Sequence, residues 1–215
     1  MIYWQVFGWT CFLVSLWLCR SPLGWQKMRT EKDYQHLVFA SGIILFCLWA
    51  LKAGISEGLD IHFLGMTVLT LCHGPRIAIW ISVIPLALMV GFGLLPFVDV
   101  GLYAFTTAVL SALVSYAIFL LSYRYLSHHL FIYIFIAGFL NAAFTIVFHL
   151  CTVSTGYWVS GLHGWDTILD NYLTLALLIW FPEGLLNGMA VTLMAVYRPH
   201  WLRTFYDREY LSPDR

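Results

Sequence analysis

The sequence predicts an all-α, polytopic membrane protein, and three of its features carry that prediction. Of the 215 residues, 61% are hydrophobic and only 10% are charged, whereas soluble domains carry roughly 25% charged residues. The mean hydropathy is +0.81. Several apolar runs are about as long as a helix needs to cross a hydrocarbon core of ~30 Å. We therefore expect residues 1–215 to form one integral domain in the cell membrane, the inner or plasma membrane.

About seven transmembrane helices are predicted. The third is too short to span the bilayer and is expected to be re-entrant, which requires protein around its free backbone groups. The first segment is expected to be a retained helix and not a cleaved signal peptide, because no basic region precedes it and no convincing cleavage site follows it. The predicted segments cover residues 2–19, 37–55, 63–72, 77–96, 102–123, 130–151 and 172–197.

The charges between these segments predict the orientation. With seven segments, the basic loop and tail residues all lie on one side: Arg20, Lys27, Arg29, Lys32, Arg124, Arg198, Arg203, Arg208 and Arg215. The opposite loops carry acids: Glu57, Asp60, Asp99, Asp166 and Asp170. The positive-inside rule then predicts an outside N-terminus and a short basic and aromatic cytoplasmic tail over residues 198–215.

Two predicted outer loops carry candidate metal ligands. Glu57, Asp60 and His62 lie in one short loop, and His163 lies in the longest outer loop, with His149 one turn below its start. Neutral imidazole binds nickel, cobalt, copper or zinc, and carboxylates compensate charge. If the loops meet, they form a mouth that captures metal from outside. The alternatives are an interfacial hydrogen-bonding role for His62, a solvated His163 and a satisfied buried His149.

Four further residues are candidates for a pathway or for pairing helices: Lys52, Cys72, His73 and Glu183. An acid at membrane depth, as expected for Glu183 after Pro182, needs a partner or a proton. It either lines a pathway or holds helices together. Adjacent helical residues such as Cys72 and His73 diverge by about 100°, so helix termination explains this pair better than a shared soft-metal site.

Several function classes have no signature here. The chain has no GxSxG elbow, HExxH helix, Walker loop or dinucleotide-binding glycine motif. A formal net charge of zero and the lack of a basic face argue against a nucleic-acid partner. We expect no enzymatic activity and no required cofactor, apart from a divalent transition metal that is bound or transported.

The residues around His62 resemble a known family. Leu51-Lys52-Ala53-Gly54-Ile55 leads into His62, and Gly74-Pro75 begins twelve residues after that histidine. With residues 101–126 and 182–186, this spacing resembles the substrate-binding membrane component of cobalt and nickel energy-coupling factor transporters, the CbiM/NikM family. The resemblance implies seven helices, a transmembrane coupling subunit and cytoplasmic ATPases that drive an ABC-type permease.

The same resemblance implies a metal site formed by the N-terminal amine, a histidine at the second position and the loop histidine. Here the second residue is Ile2, and Phe63-Leu64 replaces the family's Pro-Thr after the loop histidine. His62 is carried over as a ligand, and Met1 only through its amine. A changed metal, a site completed by Asp60, His149 or His163, and a loss of metal binding all remain open.

The leading interpretation is a permease subunit that captures a divalent transition metal and passes it inward with the help of separate ATPases. The alternative is a membrane scaffold or assembly subunit whose polar residues are structural. A third interpretation, an intramembrane metalloenzyme, requires an open coordination position beside an acid or a base.

Overall fold

The computed structural model describes residues 2–54, 59–206 and 210, apart from the side chain of Leu23. Its helices are α1 (Ile2–Leu18), α2 (Pro22–Thr30), α3 (Lys32–Ala50), α4 (Met66–His73), α5 (Pro75–Gly91), α6 (Phe97–Tyr125), α7 (Leu130–Val159) and α8 (Trp165–Tyr197). A 3-10 turn, Pro199–Trp201, follows α8. Over these described ranges the only extended pairing is a bridge between Ala53 and Ile61.

The predicted helical architecture is confirmed. Helices α3, α6, α7 and α8 are each long and apolar enough to cross a membrane, and α1 and α5 are shorter apolar helices. The bounds of α1, α4, α5 and α6 lie within five residues of the predicted ones. The number of membrane crossings and the side on which the N-terminus lies stay predictions.

Two helix bounds differ by more than five residues from those expected, and α2 was not predicted. Helix α7 continues to Val159 and α8 begins at Trp165, so the connecting loop covers only residues 160–164. Asp166 and Asp170 therefore lie on α8 and not in a long loop. The expected bounds were wrong because hydropathy marks only the lipid-facing length of a helix, whereas its hydrogen bonds continue into polar sequence.

Helix α3 is shifted toward the N-terminus relative to its predicted range of 37–55. It begins at Lys32, with Asp33 in its first turn, where an acidic side chain favours the positive end of the helix dipole. It ends at Ala50 because the chain then turns back, and Ala53 and Ile61 exchange two backbone hydrogen bonds of 2.9 and 2.7 Å. This turn determines where His62 enters the bundle.

Helix α4 lies at the centre of the bundle, against α6, α7 and α8. Seven of its eight residues are buried. At 1.5 Å per residue it is about 12 Å long, so it cannot cross a core of ~30 Å. The prediction that the third segment is short is confirmed, and both of its ends leave backbone groups that need partners inside the protein.

Two side chains of α8 accept hydrogen bonds from backbone N–H groups at the start of α4. The two carboxylate oxygens of Glu183 accept the backbone N–H groups of Leu64 and Gly65, at 3.0 and 2.9 Å. Asn187 donates to the same carboxylate at 2.8 Å and accepts the N–H of Val68 at 2.9 Å. All three partners of the carboxylate are donors, so its ionised form matches them. Glu183 thus holds α4 to α8.

The segment after α8 satisfies the other end of α4. The Thr204 hydroxyl and backbone N–H both donate to the Leu71 carbonyl, at 2.9 and 3.3 Å. The Arg203 backbone donates to the Cys72 carbonyl at 3.1 Å, and its guanidinium donates to the His73 carbonyl at 3.4 Å. The chain after α8 therefore folds back under the bundle as far as these residues.

Helix α1 crosses α6 at two glycines. A Cβ atom at Gly8 would overlap the backbone of Leu102, and one at Gly101 would overlap the backbone of Trp9. The Gln5 side chain also donates to the Asp99 carboxylate at 2.9 Å. Because small residues let helix backbones approach closely, these glycines bring the start of the chain beside the start of α6.

Replacing Glu183 with alanine should strongly destabilise the protein. The substitution leaves two buried backbone N–H groups without acceptors, at about 1–3 kcal/mol each. We expect the free energy of unfolding in detergent to fall by about 3 kcal/mol. The control is Glu31→Ala, because the Glu31 side chain forms an exposed ion pair with Lys27. Exposed pairs of this kind contribute about 1 kcal/mol or less. Equal losses would contradict the capping role.

Replacing Gly8 with alanine should separate α1 from α6. The added methyl group meets backbone, which cannot rotate away, and overpacking of this kind costs about 1–3 kcal/mol. The matched control is Gly91→Ala, since a Cβ atom at Gly91 has nothing within 4 Å. Thermal unfolding should show a lower midpoint for the first variant and an unchanged midpoint for the second.

Candidate metal site

His62 is buried at the end of the loop that joins α3 to α4. Its side chain is 6% exposed. The residues before it are held by the pairing of Ala53 with Ile61. Beyond it, Leu64 accepts a hydrogen bond from the Trp49 indole at 3.0 Å and donates to Glu183. The histidine is therefore fixed from both sides.

The hydrogen bonds of His62 assign the proton on its ring. Its Nδ1 lies 3.1 Å from the Phe63 carbonyl, which can only accept, so Nδ1 carries the hydrogen. Its Nε2 then has the free lone pair and accepts the Tyr103 hydroxyl at 2.9 Å. Burial lowers the pKa of His62 to about 4, with the Lys52 cation acting in the same direction and the bond to Phe63 opposing it. At neutral pH the imidazole is uncharged and competent as a ligand.

His149 faces His62 from α7. The centroids of the two rings are 6.1 Å apart, and His149 is 5% exposed. Its Nδ1 lies 3.3 Å from the Thr106 carbonyl, so this nitrogen donates and the lone pair lies on Nε2. Thr106 belongs to a π-helical stretch of α6, Phe105–Leu110, and such stretches often occur at functional sites. His149 thus keeps its Nε2 for a further partner, whereas the Nε2 of His62 already accepts the Tyr103 hydroxyl.

Tyr103 completes the inner part of the site, and sequence reasoning missed it. Its ring lies 5.6 Å from His62 and 5.7 Å from Trp49, centroid to centroid. Lys52 lies over the same ring, with its Nζ 5.5 Å from the centroid. The sequence feature that could have identified Tyr103 was its position four residues after Asp99, near the outer start of a predicted helix.

Asp60 and His163 lie nearer the surface. Asp60 is exposed. His163 lies against Tyr157, with 5.6 Å between the ring centroids, and does not join the buried histidine pair. Glu57 and Met1 lie outside the described residues.

The remaining candidates lie away from the pair. Glu183 caps α4, as described above. At the opposite end of α4, His73 contacts the Tyr34 and Ser41 hydroxyls at 3.2 and 3.3 Å. Cys72 points elsewhere, with its Sγ 3.3 Å from the Sδ of Met194. The two neighbours therefore diverge, as their helical spacing predicted.

The described part of the chain contains no group of three or more histidine, cysteine, aspartate or glutamate residues close enough to hold a metal. What it does contain is two buried imidazoles, each with its Nδ1 at a backbone carbonyl, beside a phenol. Two imidazoles supply half of a four-coordinate set, and a transition metal there needs further ligands from water, Tyr103 or other residues.

Comparison with known proteins gives a fold and a family. A solved structure described as a truncated transition metal transporter superposes with a TM-score of 0.74 and 14% identity, over 92% of this chain and 95% of that chain. At this identity the likeness concerns the fold. A search of the curated proteins gives no match. The profile of the CbiM family, described as the cobalt uptake substrate-specific transmembrane region, matches residues 2–201. The chain is therefore an integral membrane protein that belongs to the CbiM family.

Proposed function

We propose that this protein is the substrate-capture permease subunit of an uptake system for a divalent transition metal, cobalt or nickel, driven by separate ATPase subunits. Membership of a cobalt uptake family supports metal as the substrate. The observation that carries the proposal is the facing pair of His62 and His149, buried and hydrogen-bonded so that both Nε2 atoms are acceptors.

The metal would bind between the Nε2 atoms of His62 and His149. Imidazole nitrogen suits both cobalt and nickel, and the carbonyl partners on Nδ1 hold each ring in the ligating tautomer. The proposed additional ligands are the Met1 amine, Asp60, Glu57 and His163, with Asp60 at the mouth compensating the ion's charge. His149 would supply an imidazole that Ile2 does not provide in this chain.

ATP-driven transport requires partners, because this chain has no nucleotide-binding motif. The proposed partners are a transmembrane coupling subunit and cytoplasmic ATPases, in the manner of energy-coupling factor ABC transporters. Hydrolysis in the ATPases would change the conformation of this subunit and release the ion inward. Glu183 is assigned to helix pairing in this scheme, since its carboxylate accepts three hydrogen bonds at the start of α4.

Removing either buried histidine should abolish metal-induced stabilisation. Cobalt or nickel at 100 times its Kd should stabilise the purified wild-type protein by about 2.7 kcal/mol. We expect His62→Ala and His149→Ala to lose this shift, each measured against its own metal-free midpoint so that changes in basal stability cancel.

The matched control is His36→Ala, which removes an exposed imidazole on α3 that has no part in the proposed site. It should keep most of the metal-induced shift. If His62→Ala and His149→Ala both retain the full shift, the histidine pair is not the binding site. If cobalt and nickel leave the wild-type midpoint unchanged, the capture function itself is wrong.

Replacing Tyr103 with phenylalanine should tighten metal binding. The Tyr103 hydroxyl occupies the His62 lone pair that the metal needs, and a net hydrogen bond of this kind contributes about 0.5–1.5 kcal/mol. Removing this competitor should lower the Kd roughly 2- to 10-fold, as measured by calorimetric titration. A weaker affinity would instead identify the Tyr103 oxygen as a ligand.

A further inference from the structure

A cleft opens between α2, α3 and α5, away from the histidine pair. Its volume is about 320 Å³, at the small end of ligand pockets of roughly 300–1,000 Å³. Its walls are almost entirely apolar and include Trp25, Met28, Tyr34, Phe39, Ile77 and Trp80. We refer to it as the α2 cleft.

Trp80, one of the residues that line the α2 cleft, has a polar group without a described partner. The indole N–H of Trp80 is buried and makes no hydrogen bond to the part of the protein that the structure describes. A buried donor without an acceptor costs about 1–3 kcal/mol. An occupant with an acceptor oxygen just above an apolar chain would relieve that cost.

Three cations and one acid directly precede residues that line the α2 cleft, and the acid is Asp33, before Tyr34. Arg20 precedes Ser21, Lys27 precedes Met28, and Arg76 precedes Ile77 in the chain. Lys27 lies over the ring of Tyr34, with its Nζ 4.7 Å from the centroid. Its only described acidic partner is Glu31, in an exposed pair at 3.7 Å. The flank thus has a positive excess beside an apolar cavity.

The surroundings of the α2 cleft are typical of a membrane surface. Helix α2 joins α1 to α3, both apolar, so it lies where the chain turns at one membrane boundary. Trp25 is 40% exposed there, as expected for an interfacial tryptophan. Phe39 lines the cleft while 55% exposed, so the cavity continues onto an apolar outer surface. A lipid can therefore enter laterally.

We propose that the α2 cleft binds one anionic phospholipid, independently of the metal site. One acyl chain lies along the apolar walls, and the phosphate is held by Lys27 and Arg76. An ester carbonyl of the glycerol accepts the Trp80 N–H. Basic pockets between membrane helices bind anionic headgroups in this way, and the cation excess selects against zwitterionic lipid.

The test compares phosphatidylglycerol with phosphatidylcholine of the same acyl chains, added to the delipidated protein in detergent. Binding is followed by native mass spectrometry and by the thermal unfolding midpoint. Each cation near an anionic surface contributes about fivefold, so we expect a roughly thirtyfold preference for phosphatidylglycerol. Lys27→Gln combined with Arg76→Gln should remove this preference and keep the weak binding of phosphatidylcholine.

The matched control is Arg124→Gln combined with Arg198→Gln, which removes two cations that also lie over aromatic rings but far along the chain. It should keep the preference. Met28→Trp, which fills the cleft, should reduce binding of both lipids, whereas inorganic phosphate alone should not shift the midpoint. Equal binding of the two lipids by the wild type, or a preference that survives loss of Lys27 and Arg76, would overturn the proposal.

Discussion

The structure depends on hydrogen-bond partners for the free backbone groups at both ends of α4. This helix is too short to cross a membrane and is enclosed by the bundle. In a dry interior each unpaired N–H or C=O costs free energy, so both ends of α4 require acceptors and donors from elsewhere. Glu183 and Asn187 of α8 serve its first turn, and residues 203–204 serve its last carbonyls. These contacts set the position of α8 and of the chain that follows it.

The same capping arrangement positions the candidate metal site. Leu64 donates its N–H to Glu183 and offers its carbonyl to Trp49, so the loop before α4 is anchored to α8 and α3 at once. His62, two residues earlier, is thereby held against α6 and α7, which contribute Tyr103 and His149. By its sequence position Glu183 was a candidate for lining a transport pathway. In the structure it affects the candidate site indirectly, by holding the backbone of Leu64 in place.

The two histidines illustrate how tertiary packing distinguishes candidate ligands that look alike in sequence. Each donates Nδ1–H to a backbone carbonyl, of Phe63 or of Thr106, and keeps its Nε2 lone pair. His163, whose sequence surroundings look equally suitable, lies instead against Tyr157 near the surface. Burial and a fixed tautomer are what separate the first two from the third, and neither property is visible in residue type or spacing.

The sequence by itself determined the helical membrane architecture and the shortness of the third segment, because hydropathy and the scarcity of charges are local properties. It named His62 only as a candidate ligand. It also indicated that Glu183 needed a partner. Only the tertiary structure decided that this partner is the start of α4, that His149 and Tyr103 face His62, and that α2 borders a cleft. Such contacts join residues 41 to 119 positions apart, and their geometry follows from how the helices pack, which no local pattern encodes.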